Sequence, residues 1–234
     1  MPAPRLLAFD ADDTLWPNQP HFDVAEARLY ELLAHYGTPA EFSEEFLRVQ
    51  RQNMSLFGYG AKSFMLSMIE TVLELTNGGA RGEEIQHVLD HGKRLLDYPI
   101  DLLPHVPEAL AAVKARGLPL MLLTKGDLFD QESKLARSGL GDLFDHVEIV
   151  SEKNEATYQR ILRRHGVRPA EFVMVGNSLK SDVLPVARLG GRAAYVPYHT
   201  TWVMERVSEA DLAGATFHEL ASLAELPAWL QALR

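Results

Sequence analysis

The sequence predicts an α/β protein: a doubly wound parallel sheet interrupted by an inserted all-α unit. Three observations lead there. Short apolar runs each stop at a polar cluster, helical patterns separate the later runs, and the gap after the first run holds four helical stretches. Strand and helix in alternation is the pattern of a parallel sheet with helical crossovers.

Leu6-Leu7-Ala8-Phe9 is the first run and ends at Asp10. A run this short and this apolar reads as a buried parallel strand. The interval from Trp16 to Leu103 is far longer than one crossover needs. Its first helix is expected from Asp23, with Glu26 three residues on, and its second from Thr38-Pro39-Ala40-Glu41. Both have the form of a capping box, in which a side chain and an acid three residues later satisfy free backbone N–H groups. A third helix covers about Ala61 to Thr76 with Phe64, Met65, Met68, Ile69, Val72 and Leu73 as its apolar stripe, and a fourth about Gly82 to Leu96. Beyond them, Val106, Ala109, Leu110 and Val113 keep helical spacing and Gly117 supplies a stop. The second strand is Pro119 to Leu123 before Thr124, and the third Val147 to Val150 before Ser151. A helix over Ala156 to His165 leads to the fourth, Phe172 to Val175 before Gly176, and Ala193 to Val196 is a weaker fifth. The expected division is an α/β core of residues 1–15 and 104–234 and a helical domain of residues 16–103.

Composition narrows the function. The 234 residues carry 32 Asp plus Glu against 23 Lys plus Arg, a net charge of -9, with no basic block. A nucleic-acid partner needs a cationic surface, so none is expected. The absence of cysteine removes disulfides, thiolate nucleophiles and Cys-ligated zinc. No apolar run approaches the roughly 18 residues of a membrane span, and the run before Asp10 is too short for a signal-peptide core. The expectation is a cytoplasmic protein, monomer or homodimer, acting on a small molecule.

In an open parallel sheet the ligand sits at the carboxyl ends of the strands. Asp10 and Asp12 follow the first strand, Thr124, Lys125 and Asp127 the second, Ser151 and Lys153 the third, and Asn177, Ser178 and Asp182 the fourth. Two carboxylates so close repel in low dielectric, and a hard cation such as Mg²⁺ relieves that repulsion. Acids, a hydroxyl, an amide and a lysine suit phosphoryl transfer: one carboxylate attacks phosphorus, a second moves the proton, and cations offset charge on the phosphoryl oxygens. Lys125 and Asp127, beside Thr124, either touch substrate or close a salt-bridged loop.

At these residues the sequence resembles the haloacid dehalogenase superfamily, and within it the phosphatases with a helical cap after the first strand. The family's DxDx(T/V) is matched by Asp10-Ala11-Asp12-Asp13-Thr14, its apolar run ending in Thr by Leu122-Leu123-Thr124, and its lone lysine by Lys153. Its fourth motif, an acidic pair after Gly, is matched by Gly176-Asn177-Ser178-Leu179-Lys180-Ser181-Asp182. The resemblance implies a Rossmann-like core and a Mg²⁺-dependent phosphatase acting on a small phosphorylated metabolite through an aspartyl-phosphate. It implies that Asp10 is the nucleophile, that Asp12 is the general acid/base and also offers its carbonyl to Mg²⁺, that Thr124 binds the phosphoryl group, and that Lys153 holds both Asp10 and that group. Asn177 stands where the family often has a ligating Asp; it keeps an oxygen but adds no charge, and Asp182 compensates directly or through a metal-bound water. Lys125 and Ser178 are candidate substrate contacts, as are Tyr59 and Lys62 in the Gly-bounded loop between helices, which resembles cap loops that reach the active site. Two other functions remain open at this point. One is a metal-free 2-haloacid dehalogenase, which shares the Asp nucleophile and an Asn in the fourth motif but lacks the second Asp. The other is a non-catalytic binding member of the superfamily.

Overall fold

The computed structural model describes residues 2–233. The chain forms two compact units. One contains the residues up to Gln19, Ile100–Lys125 and everything from Ser133; the other contains Pro20–Pro99 and Gly126–Glu132.

Along the chain, β1 (Leu6–Phe9) is followed by α1 (Gln19–Leu33), α2 (Pro39–Phe57), α3 (Ala61–Leu75) and α4 (Gly82–Asp97). Then come α5 (Val106–Lys114), β2 (Leu120–Lys125), α6 (Leu128–Ser138), β3 (His146–Val150), α7 (Glu155–Arg164) and β4 (Phe172–Gly176). A π-helical turn, Leu179–Val183, runs into α8 (Leu184–Arg188), and β5 (Arg192–Tyr195), a 3₁₀ turn at Val203–Glu205, α9 (Glu209–Leu212), β6 (His218–Glu219) and α10 (Leu226–Ala232) follow.

The sheet has the order β3-β2-β1-β4-β5-β6, and every pairing is parallel. Successive side chains of a strand face opposite sides, which splits the core in two. Leu7, Phe9, Leu122, Val173 and Val175 pack with α5 and α10 on one side. Leu6, Ala8, Met121, Leu123, Phe172 and Met174 pack with α7 and α8 on the other. β1 lies between β2 and β4, at the point where the strand order reverses, so the residues after β1 emerge where such a sheet opens a crevice.

β3 departs from the buried strand that its apolar run suggests. It is an edge strand, its residues are half-buried or exposed, and Val147 is exposed. α1 begins at Gln19, not at Asp23. The carboxylate of Asp13 accepts from the backbone N–H of Asn18 at 2.7 Å and of Gln19 at 3.0 Å, which caps the helix four residues early. The Thr38 capping box forms as expected, with the Thr38 N–H donating to Glu41 Oε2 at 2.8 Å.

The helical unit has a core of its own, in which Leu29, Leu33, Phe42, Phe46, Phe64, Met68, Val72 and Val88 are buried together. Its ends differ from 16 and 103. Trp16 is fully buried in the α/β core, and Ile100, Leu102 and Leu103 pack against that same core. No described helix is long and apolar enough to cross a membrane.

Candidate active site

The turn after β1 is tight. Asp13 adopts φ 62°, the Asp13 N–H donates to Trp16 O at 2.8 Å, and the Leu15 N–H to Ala11 O at 2.8 Å. That turn holds Asp10 at the end of the strand, where its own N–H donates to Val175 O of β4 at 2.9 Å. Lys153 precedes α7, whose N-terminus is capped by Asn154 Oδ1 on the Thr157 N–H at 2.9 Å. From there the Lys153 ammonium, 2% exposed, reaches Asp10 Oδ1 at 2.5 Å and Asp182 Oδ1 at 2.7 Å. Asp182 Oδ2 accepts from the Ser178 N–H at 3.0 Å. The π-helical turn lays this carboxylate against β4 so closely that a Cβ on Gly176 would stand 2.3 Å from Asp182 Oδ2. Glycine is the residue that fits there.

Thr14 ties the first and fourth clusters together. Its hydroxyl donates to Asp10 Oδ2 at 3.1 Å and accepts from the Asn177 N–H at 3.1 Å. One amide atom of Asn177 stands 3.2 Å from Asp10 Oδ2 and 3.3 Å from the carbonyl of Asp12. With nitrogen in that place it donates to both. With oxygen there, it accepts from the Thr14 hydroxyl at 3.2 Å and faces the oxygens of Asp10 and Asp12, a pairing of acceptors that a hard cation relieves.

Charge and burial agree with that donor set. Burial pushes the Asp10 carboxyl up to about 7, Lys153 opposes the shift, and Asp182 and Asp12 add to it. Burial also raises Asp182 against the pull of Lys153. Burial pulls the Lys153 ammonium down, but Asp10 and Asp182 outweigh it and leave its pKa raised. Two buried carboxylates share one ammonium, so the ionised cluster is one positive charge short. The oxygens of Asp10, Asp12 and Asn177 are of the type that a hard divalent cation takes, and positive charge beside Asp10 offsets the deficit. Both oxygens of Asp182 are engaged elsewhere, on Lys153 and on the Ser178 N–H.

Thr124 is 1% exposed at the end of β2. Lys125, next to it, donates to Glu205 Oε1 at 2.7 Å and Ser181 Oγ at 3.1 Å, and its ammonium lies 3.5 Å from Glu152. Glu205 Oε2 takes the hydroxyls of Ser178 and Ser181, each at 2.5 Å. Burial raises the Glu205 carboxyl, but Lys125 and the two serines outweigh it and hold it below its ordinary value. Sequence reasoning did not single out Glu205, because no local pattern distinguishes an acid in a 3₁₀ turn from a solvated one. Asn177 and Glu205 also line a recess of about 430 Å³ with Tyr195, Thr201 and Arg206.

Tyr59 and Lys62 belong to the helical unit. There Lys62 pairs with Asp127 at 2.9 Å and stands 5.4 Å over the Phe129 ring. Of the two readings open for Lys125 and Asp127, both residues show the salt bridge.

A family model described as haloacid dehalogenase-like hydrolase matches residues 4–190. This chain belongs to that family. Among solved structures it is similar to a haloacid dehalogenase-like family hydrolase of Xanthomonas campestris, 39% identical, with a TM-score of 0.88 over 99% of this chain and 92% of that one. Among curated relatives it is similar to a glyceraldehyde 3-phosphate phosphatase of Pyrococcus furiosus, 24% identical over 98% of this chain and 92% of the relative. A phosphoserine phosphatase of Thermus thermophilus is 28% identical over 79% of this chain and 71% of its own length.

Proposed function

We propose that this haloacid dehalogenase-like hydrolase is a Mg²⁺-dependent phosphatase that cleaves a small phosphorylated metabolite through an aspartyl-phosphate on Asp10. The observation that carries this is the buried bridge of Lys153 from Asp10 to Asp182, with one amide atom of Asn177 beside both the other oxygen of Asp10 and the carbonyl of Asp12. The relatives named as phosphatases support the same class.

In this reading a carboxylate oxygen of Asp10 bonds to phosphorus as the bond to the leaving oxygen breaks. Asp12 gives that oxygen its proton, then takes one from the water that attacks the acyl phosphate, which frees phosphate and restores Asp10. Lys153 and the hydroxyl of Thr124 offset charge on the phosphoryl oxygens. Asp10, the Asp12 carbonyl and Asn177 would hold Mg²⁺, which when bound neutralises phosphoryl charge and keeps Asp10 ionised. Asp182 orients Lys153 and closes its charge. Ser178 and Lys125, both tied to Glu205, shape the floor on which the leaving group rests. The helical unit takes the part of the cap, with Tyr59 and Lys62 as its candidate substrate contacts.

The test is hydrolysis of p-nitrophenyl phosphate with and without Mg²⁺. Activity is expected with Mg²⁺ alone, and Asp10→Asn lowers kcat by at least about 10³-fold in a protein that still folds. Asp12→Asn slows phenyl phosphate more than p-nitrophenyl phosphate, because p-nitrophenolate needs little protonation. Halide release from 2-chloropropionate without Mg²⁺, together with no phosphatase activity, would replace this reading with a dehalogenase. A folded protein inert in both assays is a binding module.

A further inference from the structure

Helix α6 carries polar residues where a core stripe is expected. Asp130, Gln131 and Lys134 are each about 2% exposed. A buried ammonium is costly unless a charge partner compensates it. Lys134 Nζ lies 3.2 Å from both carboxylate oxygens of Asp12 and donates to Asn18 Oδ1 at 2.9 Å. The indole N–H of the fully buried Trp16 donates to Asp12 Oδ1 at 2.8 Å. The Asp12 side chain keeps 20% exposure, so the carboxylate is gripped from the protein side and still reaches solvent.

The two acids of the turn are thus served by two different lysines, Lys153 on Asp10 and Lys134 on Asp12. We infer that Lys134 is a positioning residue for the proton-transfer step: with Trp16 it fixes the orientation of the Asp12 carboxyl toward the leaving oxygen. The inference rests on the reading of Asp12 as general acid/base. Lys134 stands behind Asp12 and contributes to the reaction through it. Four residues are involved, drawn from the turn after β1 and from a helix more than a hundred positions later, and only Asp12 belongs to a family motif quoted above. A side chain that acts by orienting an acid matters in proportion to how much the leaving group needs a proton.

The experiment compares phenyl with p-nitrophenyl phosphate under saturating Mg²⁺. Lys134→Met is expected to lower kcat on phenyl phosphate about 10–10²-fold and on p-nitrophenyl phosphate about threefold or less, with KM for each little changed. In the Asp12→Asn background, Lys134→Met should add no further selective loss. A role confined to stability lowers both substrates alike, so an unchanged ratio in Lys134→Met, with the ratio altered in Asp12→Asn, overturns the inference. An unchanged ratio in Asp12→Asn itself overturns the acid/base reading instead. Removing one member of a buried ion pair strains the fold. If Lys134→Met does not fold, Lys134→Gln keeps a neutral donor, and the same two ratios decide.

Discussion

Asn177 shows at the scale of one residue how the site trades charge for fit. Its amide stands beside Asp10 and Asp12 where an aspartate would place a carboxylate oxygen, and it leaves the buried cluster one negative charge lighter. Asn177→Asp should therefore tighten apparent Mg²⁺ affinity by about tenfold, roughly 1.4 kcal/mol. The same change should lower the melting temperature of the metal-free protein, because Asp10 and Asp182 are already held unfavourably by burial. A Mg²⁺ titration of activity and a melt in chelator measure the two effects, and an unaltered titration removes Asn177 from the metal shell. Asp10 and Lys153, which meet in the structure, could be singled out in the sequence because polar residues follow apolar runs at both points. Lys134 and Glu205 were not, since a lysine on a helix and an acid in a loop acquire meaning only from what folds against them.

At the scale of an element, helix α4 shows how a terminus is secured. Glu84, 1% exposed, accepts from the Arg81 N–H at 2.8 Å and from Tyr36 Oη at 3.2 Å, and pairs with His35 at 3.1 Å. The Arg81 N–H foremost, against burial, holds its carboxyl down at about 2 from an ordinary 4.5. A depressed carboxyl stabilises the fold fully above its unfolded pKa and loses that contribution as pH falls through the folded one. Glu84→Gln should thus melt lower than the parent at pH 7, and the gap should close between about pH 4.5 and 2. Parallel melting curves across that range would show that the ionised form contributes nothing. The elements themselves were mostly visible in advance, because helical and strand periodicities are local. α1 started early because its cap is Asp13, a residue of the turn after β1 outside the helical pattern. α6 was given no residue range in advance, since Asp130, Gln131 and Lys134 are buried on it beside Leu135 and it shows no apolar stripe.

At the scale of the whole molecule, the predicted chemistry gives a thermal readout. Beryllofluoride with Mg²⁺ mimics an aspartyl-phosphate, and at 100-fold over its Kd a ligand of the native state adds about 2.7 kcal/mol. That corresponds to a rise of roughly 5–10 °C for a chain of this size if its unfolding is cooperative. The rise should vanish in Asp10→Ala; a rise that persists there would place the anion elsewhere. The sequence alone determined the α/β class, the inserted helices and the four strand ends with their polar clusters, because burial period and residue type are written locally. Tertiary structure alone decided the sheet order, which makes β3 an edge, and the division of two lysines between two carboxylates. Those choices depend on contacts between residues far apart in the chain, such as Lys153 with Asp10 and Lys134 with Asp12. Nothing local encodes which distant charge a buried ammonium will meet.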